Sequence, residues 1–139
     1  MPHLTIEYTA NLEALTDIGA LCKRLSATLV ALQGDDRGDG LADGPLFPVA
    51  GTRVMARPAL HCAVADGHPD RAFMYLKLRI TPGRSPALIQ RAGDALLASA
   101  SAQLDTLFAQ QALGLTLHID EGQPVYEGKR NNLAGHLQK

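Results

Sequence analysis

The chain has no tryptophan and only three phenylalanines and three tyrosines among its 139 residues. Its core must therefore be built mainly from aliphatic side chains, with little aromatic surface for stacking nucleic-acid bases. Charge of one sign is equally scarce. Thirteen basic residues against fourteen acidic ones give a formal net charge of -1, so no basic excess exists to displace counterions from DNA or RNA. With two cysteines, Cys22 and Cys62, a disulfide-dense scaffold is excluded, and both are read as free thiols. No apolar run approaches the roughly 18 residues of a membrane span. The start, Met1-Pro2-His3-Leu4-Thr5-Ile6-Glu7, lacks the basic and apolar regions of a secretory signal. These absences predict a cytoplasmic protein with neither nucleic acid nor membrane as partner. An apolar share of 46% against 19% charged residues excludes disorder and coiled-coil composition. The length fits one domain over residues 1–139 and buries about two-thirds of the unfolded surface.

Alternation organises the start of the chain: Leu4, Ile6 and Tyr8 interleave with His3, Thr5 and Glu7, the period of two of a half-buried strand. Leu12, Leu15, Ile18, Leu21, Leu25, Leu29 and Leu32 then recur every three or four residues, predicting a helix over Asn11 to Gln33. Residues Gly34 to Gly44 hold four aspartates and four glycines, which predicts a mobile acidic loop. Its likeness to a calcium loop is superficial, because the turn glycine falls at the wrong offset and no Glu closes the frame. From Thr52 to Ala65 an irregular strand is expected at a sheet edge or bulge, because Pro58 has no N–H for a ladder. The turn Asp66-Gly67-His68-Pro69-Asp70 leads into a strand in which Phe73, Tyr75, Lys77 and Arg79 alternate with Met74, Leu76, Leu78 and Ile80. Ser85 and Pro86 open a second helix, with Ile89, Ala92, Leu96, Ala100, Leu104, Leu107 and Phe108 on one face and Gly114 as its stop. Leu115, Leu117 and Ile119 mark a fourth strand, and a polar tail from Gly122 holds one short helical turn. The fold class is α/β (α+β): two β-α-β halves make a four-stranded sheet with two long helices on one face. The other sheet face needs cover, and a second copy of the chain supplies it.

Candidate chemistry is sparse. The five histidines are scattered without metal-ligand spacing, so no metal is expected. His61 and Cys62, placed on a strand, would face opposite ways, and Cys62 reads as a small buried residue rather than a nucleophile. Ser85 reads as a helix cap. Pro2 differs. Removal of the initiator Met would make it the amino terminus, and a secondary amine kept neutral by burial or nearby cations can act as a base.

Several segments together resemble the 5-carboxymethyl-2-hydroxymuconate Δ-isomerase family of the tautomerase superfamily. They are Met1-Pro2-His3, Pro48-Val49-Ala50-Gly51-Thr52-Arg53, Ala65-Asp66-Gly67-His68-Pro69-Asp70-Arg71-Ala72-Phe73, Gly83-Arg84-Ser85 and Asn131-Asn132. The resemblance spans nearly the whole chain and rests on their order and spacing. It implies a cofactor-independent keto-enol isomerase, a homotrimer, acting in bacterial breakdown of the aromatic acid homoprotocatechuate. Pro2 would be the catalytic base, and Arg53 and Arg84 would bind the polycarboxylate substrate. Planar, permanently charged guanidinium forks suit that task. The acidic 34–44 segment looks like an insertion against the family pattern, and Arg57-Pro58 stands where a more aromatic stretch is expected. Two other readings fit the residues: a same-fold dehalogenase or decarboxylase acting on an unsaturated acid, and a non-catalytic oligomeric binding protein.

Overall fold

The computed structural model describes residues 1–34 and 44–137. Four strands form one sheet: β1 (His3–Thr9), β2 (Arg53–Ala59), β3 (Ala72–Ile80) and β4 (Leu113–Glu121), in the order β2-β1-β3-β4. β1 runs parallel to β2 and β3 parallel to β4, while β1 and β3 pair antiparallel at the centre. Each parallel pair is bridged by a helix, α1 (Ile18–Ala31) in the first half and α2 (Pro86–Gln110) in the second. The two β-α-β halves and the tautomerase-like sheet expected from the sequence are therefore present.

Alternation decides which face the helices cover. Leu4, Ile6, Met74, Leu76 and Leu78 are fully buried with Leu21, Leu25 and Leu29 of α1 and Leu96, Ala100 and Leu104 of α2. The opposite face carries Arg53 and Arg57 from β2, His3 and Glu7 from β1, Tyr75, Lys77 and Arg79 from β3, and His118 and Asp120 from β4, as the register requires. On that face Lys77 Nζ lies 3.0 Å from Glu7, and Tyr75 Oη lies 2.6 Å from His118 Nδ1. β2 is an edge strand, as Pro58 demands.

Several expectations need correction. The first helix does not run from Asn11 to Gln33: a short 3-10 turn (Ala10–Ala14) comes first, and α1 starts only at Ile18. Asp17 is the reason. Its backbone is extended, and its carboxylate accepts the Ala20 N–H at 2.8 Å, capping the helix. Asn11 lies in the 3-10 turn, where its side-chain amide donates to the carbonyl of Arg71 at 2.9 Å and so ties the turn to the start of β3. Replacing Asp17 by Ala is expected to lower stability by about 1 kcal/mol, measured by urea unfolding, while leaving the sheet intact. Gly114 does not stop α2, which ends at Gln110; it belongs to β4, where a Cβ would stand 3.0 Å from the Phe73 ring. On α2, Leu88 takes the buried place and Phe108 turns outward. Cys62 is exposed, and His61 and Cys62 follow the end of β2 rather than lying within a strand.

Residues 35–43 of the acidic loop lie outside the described residues, and with them the expectation of its mobility. Its two ends meet: the Gly34 N–H donates to the Gly44 carbonyl at 2.9 Å, and Gln33 pairs with Pro45. Among the described residues no helix is long and apolar enough to cross a membrane.

Candidate active site

Parallel pairing of β1 and β2 places the chain start beside Arg53. The Arg53 N–H donates to the Pro2 carbonyl at 3.1 Å, and Pro2 itself is buried. A 3-10 turn at Val49–Gly51 delivers the chain to this point. The Arg53 guanidinium folds back on that turn, its Nη1 donating to the carbonyls of Ala50 at 2.8 Å and Thr52 at 2.9 Å.

Antiparallel pairing of β1 with β3 brings the far end of β3 to the same place, which is how Arg84 arrives. Gly83, with φ of +115°, makes a backbone turn that a side chain would strain. Ser85 then caps α2, accepting the Leu88 N–H, with Pro86 in the first turn. Arg84 is thereby fixed. Its Nη1 donates to the Thr81 carbonyl at 2.9 Å, and its guanidinium carbon sits 4.8 Å above the centroid of the Phe47 ring. Its Nε is buried without a hydrogen-bond partner among the described residues.

Thr81 joins the two features. While its carbonyl holds Arg84, its hydroxyl accepts the Met1 ammonium at 2.9 Å. The amine lies in a cavity of about 240 Å³, lined in part by His3, Arg79, Thr81, Gly122 and Glu127. Burial pushes the amine below its ordinary pKa; Arg84 and then Lys129 push the same way, and Glu127 opposes them. His3 is lowered as well, by burial first and then by Arg53, the amine and Arg79. The Met1 side chain occupies space beside Gly51, where a Cβ would stand 3.3 Å from its Sδ.

The structure thus gathers Pro2, Arg53 and Arg84 around one end of the sheet. Sequence reasoning missed Thr81, Arg79 and His3, which enter only through the β1–β3 pairing. Among the described residues no three His, Cys, Asp or Glu side chains form a metal-binding group.

The sequence model of the 5-carboxymethyl-2-hydroxymuconate isomerase family matches residues 2–137. The chain belongs to that family. It is an isomerase of tautomerase-like fold. It is 29% identical over 133 residues to the 5-carboxymethyl-2-hydroxymuconate Δ-isomerase of Escherichia coli, covering 96% of both chains. A crystal structure of a 5-carboxymethyl-2-hydroxymuconate Δ-isomerase superposes with a TM-score of 0.88 at 41% identity, covering 100% of this chain and 94% of that one. The 5-carboxymethyl-2-hydroxymuconate isomerase structure from Deinococcus radiodurans R1 gives 0.80 at 36% identity, over 99% and 95% of the two chains. For a member of this isomerase family, the cavity at the chain start is of interest because an ionisable amine and cationic side chains meet there.

Proposed function

We propose that this isomerase converts an unsaturated hydroxy-polycarboxylate such as 5-carboxymethyl-2-hydroxymuconate to its keto isomer, with the Pro2 amine, freed by loss of Met1, as the base. The observation that supports this reading most directly is that the Met1 amine, one residue ahead of the buried Pro2, lies in a cavity where burial and neighbouring cations lower its pKa. The neutral amine takes the proton of the 2-hydroxyl. The oxygen electrons close a C=O bond, the conjugated double bonds shift by one place, and the new ammonium returns its proton to the distal carbon. No atom is gained or lost and no oxidant is needed. Arg53 and Arg84 hold carboxylates and stabilise the dienolate between the two transfers.

The active form is proposed to be a homotrimer, acting in aromatic-acid breakdown. The copy number comes from the family resemblance; the need for a partner is supported by the tail, where Val125 and Tyr126 stand 108% and 87% exposed, and by the uncovered sheet face. A sedimentation mass of one chain, instead of three times 14.8 kDa, refutes that assembly.

The reaction itself is tested by the pH dependence of ketonisation, followed by absorbance with protein whose first residue is verified by mass. Only the neutral amine accepts a proton, so kcat/KM rises with pH and levels off once the amine is deprotonated. Because the surroundings lower the pKa of the Met1 amine at this end of the sheet, the Pro2 amine is expected to show a midpoint below the ordinary α-amino value of about 8. A midpoint above that value, or a rate independent of pH from 5 to 9, overturns the assignment.

A further inference from the structure

Arg79 stands apart from the other two arginines of this end of the sheet. Arg53 directs guanidinium N–H groups at carbonyls of its own turn, and Arg84 at those of Thr81 and Leu46. The exposed Arg79 has no hydrogen bond or ion pair among the described residues. Asp120 faces it across the β3–β4 register yet lies beyond ion-pair reach. The acid that shares its cavity, Glu127, is bound to Lys129 at 2.8 Å. A guanidinium with all its donors unspent, lining the cavity that holds the amine, is a ready anion site.

Its place on the sheet is also set. Across the central pair Arg79 is in register with His3, which puts it on the same sheet face as the chain start. Gly122, anchored by its N–H to the Ile80 carbonyl at 3.0 Å, runs directly beneath the guanidinium. A Cβ on Gly122 would stand 2.6 Å from Arg79 Nη2 and 2.8 Å from Cζ. A side chain at residue 122 would push the guanidinium aside.

We infer that Arg79, seated on Gly122, is a specificity-determining residue that binds the third carboxylate of a tricarboxylate substrate. The inference rests on the proposed function above, and its chemistry follows from the substrate class: a carboxymethyl-substituted muconate has three carboxylates, whereas Arg53 and Arg84 account for two. A third fork at the same end of the sheet, lining the cavity of the amine, distinguishes it from a plain 2-hydroxymuconate, which has two carboxylates and the same reacting enol. The attraction is present in both ground and transition states, so it acts mainly through KM.

The test compares 5-carboxymethyl-2-hydroxymuconate with 2-hydroxymuconate as substrates of the wild type, Arg79→Gln and Gly122→Ala. In the wild type, kcat/KM favours the tricarboxylate. Arg79→Gln is expected to reduce that preference at least tenfold through a raised KM for the tricarboxylate, equivalent to about 1.4 kcal/mol. Gly122→Ala, which displaces the guanidinium without removing its charge, is expected to reduce it in the same direction. An unaltered preference in Arg79→Gln, or a loss shared equally by both substrates, overturns the role of Arg79 while leaving the proposed reaction standing. A wild type that isomerises neither substrate overturns the proposed reaction, and this inference with it.

Discussion

Protein that begins at Pro2 is expected to isomerise its substrate at least a hundredfold faster than protein carrying an amino-terminal tag. An amide nitrogen has no basicity to offer, and loss of a positioned general base costs about 10²- to 10⁴-fold in rate. The geometry adds a steric reason. Pro2 is already buried behind Met1, whose side chain packs by Gly51 and whose amine occupies the Thr81 hydroxyl, so any residue ahead of Pro2 stands where substrate must approach. Three forms should be compared, each verified by mass: starting at Pro2, starting at Met1, and tagged. The Met1 form is informative because its own amine reaches the cavity with a lowered pKa. It should nevertheless be slow, since a flexible primary amine one residue further out is displaced from the buried position of the Pro2 nitrogen. Equal rates for the tagged and Pro2 forms would remove Pro2 from the mechanism. Equal rates for the Met1 and Pro2 forms, with an inactive tagged form, would assign the base to the terminal amine irrespective of residue.

How far this site could be read from sequence depends on how local each piece is. β1 was legible because Leu4, Ile6 and Tyr8 alternate against polar neighbours, and α2 because Ser85-Pro86 is a local start signal. The break before α1 was not, since Asp17 fits a helical window as easily as it caps one. Periodicity alone also put Phe108 inside and left out Leu88; two neighbouring apolar residues at a helix end are separated only by how the helix lies on the sheet. Arg53 and Arg84 were found through family-like motifs, and the structure places both near the chain start. Thr81 and Arg79 carried no sequence signal. They reach the amine because an antiparallel pairing joins segments about eighty residues apart, and nothing in the local composition announces that register.

Replacing Arg84 by Ala is expected to lower kcat/KM by two to three powers of ten, and here stability is expected to fall as well. Removing one preorganised donor to a developing oxyanion costs about 10²- to 10³-fold, and a guanidinium that also binds a carboxylate contributes to both kcat and KM. A charged side chain placed for a ligand is expected from sequence to make few core contacts, so that its loss weakens turnover far more than stability, but the packing of Arg84 adds a structural role. Arg84 is half-buried, stacks on Phe47, which is itself buried, and donates to the Thr81 carbonyl, the same residue whose hydroxyl receives the amine. Its deletion leaves a buried ring face and a carbonyl without their partner, for which a loss of about 1–3 kcal/mol is expected. Arg53→Ala separates the two effects. Among the described residues its guanidinium bonds only carbonyls of its own turn, so activity should fall by a similar factor while the urea midpoint moves little. Arg84→Lys sharpens the argument further: a lysine keeps charge near the amine but has neither the planar face for Phe47 nor the fork for a carboxylate. It should therefore restore part of the amine's lowered pKa, visible in the pH profile, without restoring turnover. Full activity in Arg84→Lys would reduce the role of this residue to simple charge. Full activity in Arg84→Ala, with the fold intact, would show that the carboxylates are held elsewhere.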